Sequence, residues 1–191
     1  MISIRNEKTT DVAARETLLD LAYGPSRFAK PSEQIRRGRQ AADGLSLVAT
    51  ENGRMIGTVR LWHVETGEGA KALLLGPLAV HPDYRCKGLG AQLMQRALRN
   101  ARMRGHKAVL LVGDADYYAR FGFSAGKTGR LTMPGACPAH RLLALELAEG
   151  ALDGAAGKIV ASGKLMPSRA RRLADAVGLQ GKSLRPVSHA A

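Results

Sequence analysis

The chain of 191 residues carries 29 Lys+Arg against 16 Asp+Glu, a formal net charge of +13, with 45% hydrophobic residues and two cysteines. That length fits one domain with a small appendage, and that apolar share is enough for a core. No apolar run reaches the ~18 residues of a membrane helix, two cysteines make no disulfide framework, and the opening "MISIRNEKTTD" lacks a signal peptide's apolar stretch, so a cytoplasmic protein without a membrane partner is expected.

In chain order, "ISIR" (2–5) alternates and reads as a first strand. "DVAARETLLDLA" (11–22) follows as a helix, with Asp11 placed to cap it. "GPSRFAKPSE" (24–33) is a loop, and "SEQIRRGRQAA" (32–42) reads as a short basic helix. "LSLVAT", "ENGR" and "MIGTVRLWHV" form a hairpin, with Asn52-Gly53 suited to a tight turn. "KALLLGPLAV" (71–80) is apolar on both parities, so it reads as a central strand. Pro77 cannot donate to a ladder, so a bulge or a splayed edge is expected there.

Residues 88–104 carry Leu89, Leu93, Met94, Ala97, Leu98 and Ala101 at helical spacing. "KAVLLVG" (107–113) is a second buried strand, "ADYYARFGF" (115–123) a short helix ending at Gly122, and "HRLLALEL" (140–147) a late strand. A strand, a helix and a parallel strand over residues 71–113 require a crossover. The whole order predicts an α/β (α+β) mixed sheet flanked by helices. Residues 1–150 are expected to form one domain. Residues 151–191 read as a basic extension, partly disordered, with a peripheral helix over 167–177.

The excess of positive charge favours polyanionic partners, though it also fits a basic protein with no such role. "CPAH" (137–140) supplies too few ligands for a metal, so none is expected. The stretch "DYRCKGLGAQLM" (83–94) is more pointed. It follows a buried strand and opens a helix whose first amides lack partners and carry partial positive charge. Gly88 and Gly90 let a ligand approach the backbone, while Arg85 and Lys87 add full charges. Such an assembly suits a phosphate or pyrophosphate. It lacks the ending of a Walker loop and the glycine spacing of a dinucleotide fingerprint. A turn that uses glycine only for geometry remains the alternative.

"LAVHPDYRCKGLGAQLM" resembles the acyl-CoA-binding motif of the GNAT superfamily of N-acetyltransferases, with Arg85, Gly88 and Gly90 at the signature positions. "YYARFGF" resembles that family's second signature, and the likeness spans roughly residues 2–147, with "LALELAEGAL" similar to a bacterial subgroup of predicted acetyltransferases. Cys86 departs from the usual small or polar residue, and "GDAD" stands where many relatives carry Asn. Beside Arg85 and Lys87 the Cys86 thiol can be a reactive group, or it is an inert small side chain.

The resemblance implies a GNAT-like fold with two splayed parallel strands and acetyl-CoA as co-substrate. It implies that Leu78, Ala79 and Val80 hold the pantetheine arm. Arg85, Cys86, Lys87, Gly88, Leu89, Gly90 and Ala91 would then hold the pyrophosphate. An amine would attack the thioester directly in a ternary complex, with a backbone N–H near Val80 facing the developing oxyanion and Tyr118 as general acid. Tyr118 can instead be a packing residue, the expected role of Tyr117. His63, Glu65 and Asp114 are candidates for the base. Trp62 either lines an acceptor pocket or fills the core. The acceptor, small molecule or protein, and the oligomeric state are not legible, although Arg27, Lys30, Arg36, Arg37 and Arg39 make the expected acceptor region basic. Two other readings share the fold: a nucleic-acid- or ribosome-associated module, and a non-catalytic acetyl-CoA sensor.

Overall fold

The computed structural model describes residues 1–167. A mixed seven-stranded sheet forms the centre, as expected. Its strands are β1 (Ile2–Asn6), β2 (Ser46–Glu51), β3 (Arg54–Glu65), β4 (Lys71–Val80), β5 (Ala108–Val112), β7 (Leu142–Glu146) and β9 (Val160–Ala161). The main path runs β1-β2-β3-β4-β5-β7. Within this sheet every pairing is antiparallel except β4 with β5, which the helix α3 (Leu89–Met103) joins as a crossover. A separate short pair is made by β6 (Leu131–Thr132) and β8 (Gly157–Lys158).

The sheet is buried on both faces, which explains why β4 and β5 are apolar on both parities. On one face, α3 packs the stripe read from its spacing: Leu93, Met94, Ala97 and Ala101 are all fully buried. The other face is covered by α1 (Val12–Tyr23), by α2 (Pro31–Arg36) and by the segment from Leu131 to Ile159. A short helix, α4 (Ala115–Ala119), follows β5.

Two expectations are corrected. Asp11 does not cap α1; its carboxylate instead accepts from the Lys8 amide at 2.7 Å and pairs with Arg5. That ion pair pulls the Asp11 carboxyl down to about 2. The helix expected over 32–42 stops at Arg36. Residues 38–40 are drawn away to pair with a distant segment: the Met166 amide donates to Gly38 O at 2.9 Å and the Gln40 amide to Lys164 O at 2.8 Å. Past residue 150 the chain still contributes to the core and the sheet. Leu152, Ala155 and Ile159 are core residues, and β9 pairs with the half of β3 that β2 leaves open. The helix expected over 167–177 lies outside the described residues.

Buried ions fasten α1 to the sheet. Glu7, just after β1, pairs with Arg15 of α1, and its Oε2 lies 3.2 Å from Arg60 Nε of β3. Burial and the nearby charge of Arg15 lower the Arg60 guanidinium to about 10, against the pull of Glu7. Removing one member of such a set leaves an uncompensated charge. Glu7→Gln, which keeps the volume, is therefore expected to cost about 3–5 kcal/mol. The check is a lower urea midpoint with an unchanged m-value.

Candidate active site

The site begins where β4 and β5 part. They pair only through Leu73↔Val109 and Leu74↔Leu110. Beyond these, Gly76 and Pro77 form a bulge: between Leu61↔Leu75 and Val59↔Leu78, β4 holds two residues against one on β3. The bulge inverts the strand's facing. Below it, Leu73 and Leu75 pack toward α3; above it, Leu78 and Val80 do, while Ala79 turns toward α1. The sequence signal at Pro77 thus marks the point of divergence.

Backbone direction follows from the hydrogen bonds. The His81 amide donates to Ile56 O of β3 at 2.9 Å. Peptide groups alternate along a strand, so those of Leu78 and Val80 point the other way, into the gap toward β5. The Tyr23 phenol agrees with this, for it donates to Leu78 O from the gap side.

At the far end of β4 stands the loop 85–91. Cys86 takes a left-handed conformation with φ +60 and is exposed. Gly88, the residue before α3, has φ +78, and nothing lies within 4 Å of where its Cβ would be. It offers α3 no side-chain cap, and no acidic residue stands in the first turn. The first intrahelical bond runs from Gln92 N to Gly88 O. The amides of Leu89, Gly90 and Ala91 are therefore left for an external acceptor. Lys87 lies over the Tyr84 ring at 5.4 Å.

At the other end the gap opens into a cleft of about 1020 Å³, lined by Leu75, Gly76, Leu78, Val112 and Tyr118 from the strand ends, and by residues of α1 and α2. Tyr118 sits on α4 with its ring edge-on to Tyr117, at 4.9 Å between centroids, and to Phe123, at 6.1 Å. Its ring lies directly over Gly113; a Cβ there would be 2.2 Å from Tyr118 Cε2. Only glycine admits the ring at this point. Among the described residues the phenol has no hydrogen-bond partner, and burial, helped by Tyr23 and Tyr117, pushes it up to about 12. It is a neutral donor facing a cleft.

Tyr117 has a different setting. Its hydroxyl is 3.4 Å from the Cβ position of Gly90, and Arg120 covers its ring at 4.3 Å, so it walls the gap beside the loop. Trp62 both fills the core and lines the cleft: it is 6% exposed, and its Nε1 donates to Gly76 O at 2.6 Å, fastening the bulge. The three candidate bases are not brought to the cleft. Asp114 caps α4 by accepting from the Tyr117 amide at 2.9 Å, His63 packs at a tilt against His106, and Glu65 ends β3 opposite Val160. Tyr23, Arg36 and Gly113 were missed as site residues. Arg36 stands in the sequence only as one of five cations of the expected acceptor region, and Gly113 only as the end of a strand.

A bulged strand parting from its parallel neighbour, open amides at the following helix start and a buried phenol at the gap define the class of GNAT-like acyltransferase folds. Residues 42–125 match the model of the acetyltransferase (GNAT) domain. The uncharacterized N-acetyltransferase YhbS of Escherichia coli (strain K12) is 34% identical over 166 residues, spanning 82% of this chain and 93% of that protein. The crystal structure of YhbS from Escherichia coli in complex with CoA superposes with a TM-score of 0.70 at 31% identity, covering 84% of this chain and 89% of that one. A GNAT family acetyltransferase from Brucella melitensis, in complex with acetyl-CoA, gives 0.64 at 26% identity, covering 84% and 95%. The chain belongs to the GNAT family of N-acetyltransferases. Among the described residues no helix is long and apolar enough to cross a membrane.

The contact of Gly113 with the Tyr118 ring generates a prediction. Gly113→Ala is expected to push the ring from its slot and lower acetyl-transfer turnover by about 10²-fold, the usual penalty for a group misplaced by ~1 Å. Far-UV circular dichroism should remain unchanged. Wild-type turnover in a folded variant would show that the ring's position does not matter.

Proposed function

We propose that this protein moves the acetyl group of acetyl-CoA to a primary amine by direct attack in a ternary complex. The observation that carries this reading is the continuity of one strand edge. The peptide groups of Leu78 and Val80 face the gap, and that edge runs from the open amides before α3 to the cleft holding Tyr118. The two solved relatives hold CoA and acetyl-CoA, which supports the same ligand here.

In this reading the peptide groups of Leu78 and Val80 bond the pantetheine arm as a neighbouring strand would, with Ala79 between them. The Arg85 amide is already bonded to Pro82 O at 3.1 Å, so in this reading the amides from Cys86 through Lys87, Gly88, Leu89 and Gly90 to Ala91 receive the pyrophosphate, aided by the dipole of α3 and the charges of Arg85 and Lys87. The amine nitrogen forms a bond to the thioester carbonyl carbon, and the carbon–sulfur bond breaks. The products are the N-acetylated amine and free CoA thiol. The Val80 amide is placed to meet negative charge developing on the carbonyl oxygen. The Tyr118 phenol hydrogen-bonds the departing sulfur and supplies its proton. Since none of the candidate bases lines the cleft, the proton lost by the amine leaves through water, and the amine must arrive uncharged.

Two measurements test the parts separately. Gly88→Val places a branched side chain on a left-handed residue and into the space a phosphate would use. The variant should lose CoA affinity by calorimetry, together with the rise in melting temperature that CoA gives the wild type. Unchanged affinity in a folded variant would reduce the loop to a turn.

Tyr118→Phe keeps the ring and removes the hydroxyl. Its kcat should fall by roughly 10²–10⁴, the range of a positioned general acid, with little change in CoA affinity. The pH dependence carries a definite sign. A phenol raised to about 12 stays protonated until pH climbs through that value. The rate should therefore rise with pH as the amine loses its proton, with no descending limb from Tyr118 below about pH 11. A descending limb near pH 9 that vanishes in Tyr118→Phe would contradict the neutral phenol.

A further inference from the structure

The α1–α2 side of the cleft is built around a cation with one hydrogen-bonding edge free. Arg36, at the end of α2, is 9% exposed. Its Nε and Nη2 both donate to Glu33 Oε2, at 3.3 and 3.0 Å. Its Nη1 lies 3.6 Å from the Cβ position of Gly76, at the bulge, and among the described residues no protein acceptor takes it. Burying a guanidinium is expensive, and a single carboxylate pairing only one side leaves part of that cost uncompensated.

Two further cations stand close by. Lys30 holds its ammonium 4.2 Å from the Tyr23 ring centroid. Arg141 donates through Nε to Gly113 O at 3.3 Å, beside the Tyr118 slot. Lys30 is pushed below the ordinary lysine range by partial burial and by the charges of Arg36 and Arg141, both of which repel it. Around the cleft as a whole, Lys and Arg outnumber Asp and Glu two to one. Most of those arginines are matched: Arg15 by Glu7 and Glu16, Arg27 by Glu16 and Asp20. Of the arginines without a carboxylate, Arg37 is exposed to solvent and Arg39 donates to Gly163 O at 2.7 Å, which leaves the free edge of Arg36 and the ammonium of Lys30 next to Tyr23, within the same cleft as Tyr118.

We propose that the acceptor is a small amine bearing a carboxylate or phosphate, whose anionic group is held by Arg36 Nη1 and Lys30 while its nitrogen points past Tyr23 toward Tyr118. This rests on the acetyl-transfer reading and adds the acceptor's chemistry. An anion there completes the bonding of the guanidinium and offsets the repulsion that Lys30 meets from Arg36 and Arg141. The cleft's size suits a small molecule. The anion also fixes the nitrogen's direction, because Arg36 sits at the bulge on which the gap depends.

The test compares amines matched in size, with acetyl-CoA as donor and free thiol as readout: glycine and β-alanine against ethylamine and propylamine, and O-phosphoethanolamine against ethanolamine. In the wild type the anionic member of at least one pair should have the higher kcat/KM, by about 10- to 100-fold, the worth of one hydrogen bond between charged groups. Whether carboxylates or phosphates win identifies the anion. In Arg36→Gln the ratio should collapse toward one, and in Lys30→Gln it should fall part of the way. The ratio is internal to each variant, so it does not depend on how much active protein survives. Should Arg36→Gln fail to fold, Lys30→Gln carries the test, since Lys30 lies on a surface loop with only its ammonium end partly covered. Equal or better use of neutral amines, or a preference that survives the folded variants, overturns the proposal. So does a protein that binds CoA by calorimetry yet turns over no member of the panel. If CoA itself fails to bind, the acetyl-transfer reading falls instead.

Discussion

Two parallel strands keep their ladder only while their backbones stay about 4.8 Å apart, and β4 leaves β5 after Leu74. The extra residue at Gly76-Pro77 is what makes the parting possible, because it lets β4 hold its register with β3 on both sides of the bulge. From that point an interior strand acquires an edge. Edges of interior strands are costly when buried, since their peptide groups have no partner. Here the cost is partly met by the Tyr23 hydroxyl on Leu78 O, and the remainder is the affinity a strand-like ligand can use. Trp62, bonded to Gly76 O, holds the bulge in shape. The gap is therefore a fixed feature of the core and not a surface loop's choice.

Charge in this molecule is organised at two levels. The arginines of α1 and its surroundings are matched by acids and serve to fasten a helix over the sheet. Arg36 uses the same chemistry but only halfway, leaving Nη1 toward the cleft. The contrast between a satisfied and a half-satisfied buried guanidinium separates a structural cation from one available to a ligand. A count of lysines and arginines along the sequence cannot make that distinction, because it depends on which carboxylate reaches which nitrogen.

Much of the fold was legible because its signals are local. The apolar spacing of α3, the turn at Asn52-Gly53 and the two-parity apolar runs of β4 and β5 each follow from residues close in sequence. Pro77 announced the bulge for the same reason: a missing donor is a local fact. What escaped was nonlocal. The pairing of residues 38–40 with 163–166 ended α2 early, and β9 reached β3 from about a hundred residues further along the chain. Within the site, the loop 85–91 could be found from glycine and charge. Gly113 could not, for its role is to lie beneath a ring five residues later. Asp114 drew notice as an acid near a strand end, and it turned out to be spent on a helix cap.

Tyr23 ties these pieces together. It is the last residue of α1, its ring lies beneath Lys30, and its hydroxyl reaches the carbonyl of Leu78. Burial raises its phenol, while the charges of Arg36 on one side and Arg85 on the other oppose that rise. The residue thus feels both the half-paired guanidinium of the cleft and the loop before α3. A carbonyl has two lone pairs, so Leu78 O can keep the Tyr23 bond while accepting another along the strand edge. Any ligand bonded to that edge then meets a strand already held to α1. The ion pairs that fasten α1, remote as they are from Tyr118, consequently help to set the width of the gap.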